Sequence, residues 1–191
     1  MQPVFRLISG HPFNFADPEN SQFDILDVAH GLSNCCRFNG HVKQFYSVAQ
    51  HSVIVSQIVP PEFAMHGLLH DAAEAFTGDV VSPLKHLLPD FQAIEKRIER
   101  AVLARFGLPA KMPECVRHAD LVALATEKRD LLNPCLFEWS DTLPEPLAQR
   151  IEPMDPETAR TFFITRYREL CWSGGPAMRG QYDQLVEGAT A

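Results

Sequence analysis

Apolar positions recur along this chain every three to four residues, the period of helices with one face turned inward. Ile25, Leu26, Val28, Ala29 and Leu32 set a short first helix that ends near Asn34. Tyr46 to Ile58 carries Val48, Val53, Ile54, Val55 and Ile58, a second helix with His51 inside it. The pair Pro60–Pro61 stops that helix and suits the first turn of a third. This one is predicted to run from about Pro61 to Phe76, with Met65, Leu68, Leu69, Ala72 and Ala73 inward. Thr77-Gly78-Asp79 breaks the pattern, and Ser82-Pro83 leads into a short turn through Lys85 and Leu88. Phe91, Ile94, Ile98, Val102 and Phe106 mark an amphipathic helix that Gly107-Leu108-Pro109 ends. Glu114 to Leu132 is another long helix, bearing Val116, Leu121, Val122, Leu124 and Ala125. After a stretch punctuated by Pro134, Pro144 and Pro146, Asp155 caps a last helix through Thr165 to Leu170. At the other end, Gly10, Pro3 and Pro12 stand among Val4, Phe5, Leu7, Ile8, Phe13 and Phe15, which suits a short hairpin. The fold class predicted is all-α: a single helical-bundle domain over residues 1–172, with a short N-terminal hairpin. Residues 173–191 are Gly- and Ala-rich and are expected to form a flexible tail.

Length and composition narrow the functional classes. A chain of 191 residues suits one domain with a substantial core. The net charge is −7, and no cluster of Lys and Arg offers a track for a nucleic-acid backbone, so long DNA or RNA is not expected as a partner. A small phosphate ester stays possible, because a metal and one or two arginines can supply the positive charge locally. Cysteines stand at 35, 36, 115, 135 and 171 with no CxxC pair, which reads as free thiols in a reducing cytoplasm. No apolar run is long enough to span a bilayer, so no membrane partner is expected.

Four polar residues sit where the helices should be apolar. His51 lies within the second helix, His70 and Asp71 late on the third, and Asp120 in the run from Val116 to Leu124. Singly, each has an ordinary explanation. A buried His is more often a hydrogen-bonded core residue than a ligand, and Asp120 has Arg117 within reach. Together, two imidazoles and two carboxylates make a mixed N/O set suited to Zn, Mn, Co or Mg. Three helices can bring such a set together inside a bundle. His66 and His70 also make an HxxxH pair, but Gly67 stands where a zincin has Glu, so core packing is the better reading of His66.

The order His…His-Asp…Asp is the HD signature, and its surroundings sharpen the match. Tyr46-Ser47-Val48-Ala49-Gln50-His51-Ser52 resembles the first-histidine helix of the HD-domain 5′-deoxyribonucleotidases. His70-Asp71-Ala72-Ala73-Glu74, Thr77-Gly78-Asp79 and Pro83-Leu84-Lys85 resemble their second block, and Ala119-Asp120 their last ligand. Leu32 to His41 and Leu124 to Leu131 look most like the phage- and prophage-borne branch, which also includes a dATP triphosphohydrolase. The resemblance covers roughly residues 7 to 170.

It implies an HD-domain phosphohydrolase in which His51, His70, Asp71 and Asp120 ligate one divalent ion. Glu74 would be the acid/base or water-orienting carboxylate, with Asp71 and Arg37 beside it in catalysis. Arg37 would grip the phosphate, since a guanidinium can hold two phosphate oxygens at once. Phe38, Asp79, Val80, Val81, Ser82 and Lys85 would line the substrate, and Asp79 could help hold a second ion under a triphosphate. The better-known bacterial members carry tryptophan where this chain has Phe38, which leaves selection of deoxyribose over ribose open. Three activities follow as alternatives: a dNMP 5′-nucleotidase, a dNTP triphosphohydrolase, or a non-catalytic nucleotide-binding regulator. By the same resemblance, the chain is expected to form a homo-oligomer.

Overall fold

The computed structural model describes residues 2–134 and 142–173. Cys135 and the stretch expected as a tail, apart from Ser173, lie outside the described residues. The expected hairpin is there: β1 (Val4–Arg6) pairs antiparallel with β2 (Pro12–Asn14), placing Phe5 opposite Phe13. Gly10, with φ 88°, takes the left-handed backbone that the turn requires. Phe13 is fully buried and stacks on Phe76 at 4.1 Å between ring centroids. Phe5, Phe15 and Phe23 surround it within 5.9 Å. Pinned this way, the hairpin closes one end of the helical core.

Helix α1 (Ile25–Asn34) starts at a capping box. The Asp24 carboxylate accepts the N–H groups of Leu26 and Asp27, and Asp27 accepts the N–H of Asp24. Asp27 also accepts from the backbone and hydroxyl of Ser9, which ties the hairpin to the helix. Helix α2 (Val48–Ile58) is the central element. Ser47 caps it, and Val48, Ala49, His51, Ser52 and Val55 are all buried. Around it pack α1, α3 (Ala64–Leu69), α7 (Glu114–Leu131) and α8 (Pro156–Ser173). Gln50 donates to the Glu152 carbonyl at 2.7 Å and accepts from Met154 N–H at 2.9 Å, fastening the approach to α8. Asp155 caps α8 by accepting from Glu157 and Thr158, as the sequence predicts.

The predicted third helix is not continuous. A 3-10 turn at Pro61–Phe63 precedes α3, and the chain then tightens from His70 to Ala73 before α4 (Glu74–Thr77). Within that stretch Ala72 N–H donates to Leu69 and Glu74 N–H to Asp71, each three residues back rather than four. Periodicity could not reveal this, because Leu68, Leu69, Ala72 and Ala73 stay inward at either pitch. A short α5 (Ser82–Lys85) and a long α6 (Pro89–Arg105) follow. Helix α6 begins two residues earlier than predicted, with Pro89 in its first turn. Ile94 and Leu121, read as inward, are 45% and 40% exposed. Among the described residues no helix is long and apolar enough to cross a membrane.

Gly31 is where α1 meets the backbone at α4. A Cβ there would lie 2.6 Å from the Ala75 carbonyl oxygen, which cannot swing away as a side chain could. Gly31→Ala should therefore cost about 1–3 kcal/mol by forcing the two segments apart. Chemical denaturation should show it as a lower midpoint with an unchanged slope, whereas an unshifted midpoint would mean the contact relaxes freely.

Candidate functional site

Four side chains from three parts of the bundle converge. His51 comes from the middle of α2 and is fully buried, while His70 and Asp71 stand on the tightened turn after α3. Asp120 projects from α7. The two imidazole Nε2 atoms are 3.3 Å apart. Asp71 Oδ2 lies 3.1 Å from His70 Nε2 and 3.5 Å from His51 Nε2. Asp120 Oδ1 lies 3.1 Å from His51 Nε2 and 3.9 Å from His70 Nε2.

What these atoms carry decides what can sit between them. His70 Nδ1 lies 2.8 Å from the Gly67 carbonyl, which only accepts, so this nitrogen bears the proton. His51 Nδ1 lies 2.6 Å from the Glu127 carboxylate, and the same reasoning applies. Both Nε2 atoms then present lone pairs to one another and to two carboxylate oxygens. Four electron-rich atoms facing inward call for a positive charge. Burial and the nearby Arg37 oppose a charge on His51, yet Glu127 and Asp120 outweigh them and lift its pKa to about 9. Burial should raise the Asp71 carboxyl, but His70, His51 and Arg37 hold it far below the usual range. The donor set fits a divalent cation, and donor atoms of His51, His70 and Asp120 lie within 4.8 Å of one another.

Arg37 borders this cluster. One of its terminal nitrogens donates to Glu127 Oε2 at 3.1 Å, and the other lies 3.6 Å from Asp71 Oδ2. Its Nε is buried with no hydrogen-bond partner, a donor that a ligand oxygen would satisfy. The following residues are unusual: Phe38 and Asn39 hold φ values of 56° and 51° in succession, a left-handed turn without glycine. Phe38 N–H donates to Asp79 Oδ2 at 3.3 Å, and the Phe38 ring lies 5.3 Å from the Arg37 guanidinium carbon. Cys35 Sγ accepts from Asp79 N–H, and burial pushes this thiol up to about 11, which disfavours the thiolate.

A cavity of about 320 Å³ opens from His70, Asp71 and Asp120. Glu74 is 8% exposed on its wall, with Oε2 buried and unpartnered. Burial, then Asp71 and Asp79, push its carboxyl well above the ordinary range. Lys85 reaches the cavity, 2.8 Å from Glu95 and 3.8 Å from Glu74. The wall is formed without Arg37, Phe38, Val80, Val81 or Ser82; Arg37 borders the cluster at Asp71 instead, and Asp79 stands by Phe38 within the field of Arg37. His66 is buried with its ring 3.4 Å from the Pro109 carbonyl, consistent with core packing.

Four functional candidates escaped the sequence reading: Glu127, Glu95, Glu99 and Arg117. The last three line the cavity. Glu127 had a signal, since it stands seven residues after Asp120, two turns along the same face of α7. Glu95 and Glu99 had none, being set among Lys96, Arg97 and Arg100 like any solvated helix face.

Comparison with known proteins agrees with this geometry. The profile of 5′-deoxynucleotidase YfbR-like proteins matches residues 39–147, which contain His51, His70, Asp71 and Asp120. The chain is 42% identical over 168 residues to the uncharacterized protein YfdR of Escherichia coli K12, covering 86% of this chain and 94% of that protein. It is 31% identical to an uncharacterized protein of Rhodobacter capsulatus, with the same coverage of both. With a profile over more than half its length and such a relative over most of it, the chain belongs to the YfbR-like 5′-deoxynucleotidase family.

Proposed function

We propose that this chain is a metal-dependent phosphohydrolase that converts deoxynucleoside monophosphates to deoxynucleoside and phosphate. The observation that carries the reading is the unpartnered, buried Nε of Arg37 beside four donor atoms, two imidazole and two carboxylate, that converge on one another. A phosphate answers the first need and a divalent ion the second. His51, His70, Asp71 and Asp120 would hold that ion, which supplies an acidified water as nucleophile and polarises a phosphoryl oxygen.

The chain's own residues do the rest. Arg37 orients the phosphate and offsets the negative charge that grows on it as the new P–O bond forms. Glu74, held protonated by its burial and acidic neighbours, can donate a proton to the 5′-oxygen as the P–O5′ bond breaks. Monophosphate is favoured over triphosphate by the cavity's charge. Glu95 and Glu99 face the space beyond the cluster, Lys85 is already committed to Glu95, and Arg117 is the other cationic side chain on that wall. Further phosphates there would meet carboxylates at close range in a poorly solvated cleft.

A product assay decides. Purified protein with Mn, Co, Mg or Zn is offered the four dNMPs, the matching dNTPs and AMP. Phosphate from dNMPs, with little from AMP, is the expected result. Intact triphosphate from a dNTP would transfer the assignment to triphosphohydrolase.

A further inference from the structure

Glu127 is 0% exposed, and a carboxylate so deeply buried needs partners on both oxygens. Its two oxygens serve different halves of the site. Oε1 accepts a hydrogen bond from His51 Nδ1–H at 2.6 Å, and Oε2 accepts one from an Arg37 N–H at 3.1 Å. The buried Tyr46 hydroxyl lies against the same carboxylate, outside hydrogen-bonding geometry. No other acceptor contacts His51 Nδ1 among the described residues. Among the described residues Arg37 has one further carboxylate within ion-pair distance, Asp71 at 3.6 Å, and Asp79 acts on it from farther off.

We infer that Glu127 is a positioning residue that fixes His51 with its Nε2 lone pair toward the metal cluster and, with its other oxygen, aims Arg37 at the phosphate. It contacts neither ion nor substrate and acts through both residues. The two tasks are linked by one rigid group, so the metal half and the phosphate half of the site are set together. The Arg37 half rests on the phosphohydrolase reading; the His51 half does not.

A glutamine of the same shape separates these tasks, because it has one acceptor where glutamate has two. If its oxygen faces His51, its NH2 meets the Arg37 donor head-on. If its NH2 faces His51 Nδ1, that nitrogen must accept, the proton moves to Nε2, and the ligand lone pair is lost. Either way one half of the site fails.

The test is Glu127→Gln, read first by cobalt(II) titration followed in the visible spectrum, which needs no turnover. Where the amide NH2 faces His51, cobalt affinity falls by about 10- to 100-fold, the usual effect of removing such an outer partner. Where the NH2 faces Arg37, affinity for inorganic phosphate in the cobalt-loaded protein falls instead, and that fall should vanish when Glu127→Gln is made in an Arg37→Ala background. A merely structural role would weaken phosphate binding equally in both backgrounds. Cobalt and phosphate affinities both within twofold of the unaltered protein overturn the inference. If the variant does not fold, nitrogen-15 spectra of the zinc-loaded unaltered protein decide: His51 must carry its proton on Nδ1, and a zinc-bound Nδ1 overturns the inference. Failure of the unaltered protein to turn over any deoxynucleotide, with cobalt affinity still dependent on Glu127, would support this role while refuting the proposed reaction.

Discussion

Asp71→Ala is expected to empty the metal site and to lower turnover on the order of a thousandfold, the scale on which loss of a preorganised charge in an active site is felt. Asp71 is within 3.5 Å of both imidazole Nε2 atoms and also faces Arg37. Its removal takes away a ligand and leaves the guanidinium turned toward Glu127 alone. Elemental analysis of the purified variant should show divalent metal well below one equivalent, and saturating metal should restore little activity. The same variant separates an enzyme from a regulator built on this scaffold. A protein that only binds nucleotide would retain its nucleotide affinity and have no turnover to lose. Full turnover in the variant would sink the assignment of Asp71 to the centre.

Phe13→Ala carries the largest expected effect on stability. Its ring is fully buried, stacks on Phe76 and meets Phe5, Phe15 and Phe23 edge-on. Truncating a buried phenylalanine costs about 3–5 kcal/mol through lost transfer energy and the cavity left behind. For a chain of this length that corresponds to a fall in melting temperature of roughly 10 °C. Phe76 stands two residues after Glu74, so the cluster also backs the segment that carries the proposed acid. Scanning calorimetry checks the prediction. A loss below about 1 kcal/mol would mean that the site collapses around the gap, at the low end of what cores show.

The bundle was legible in the sequence because its helices are amphipathic and bounded by strong signals such as Pro60, Gly107 and Asp155. The four convergent residues stood out for a related reason: polar groups on inward positions break the apolar stripe. Harder to see was the backbone between them. The tightening at His70–Ala73 leaves the inward set unchanged, so no period distinguishes it from continuous helix. Glu95 and Glu99 were hidden differently, because a charged helix face facing a cleft reads the same as one facing bulk water. Glu127 lay between these cases. Its position two turns after Asp120 pointed at the site, but only the contacts to His51 and Arg37 show what it holds.

The left-handed pair Phe38–Asn39 sets heat tolerance against the aromatic contact to Arg37 at a single position. Asparagine tolerates that backbone, whereas a bulky aromatic in it carries strain of about 1–3 kcal/mol. Glycine at position 38 would relieve the tension and, in the same stroke, delete the ring beside the arginine. A search for more thermostable versions of this protein would be drawn to that substitution first, and its gains there would come at the cost of the ring that lies against Arg37.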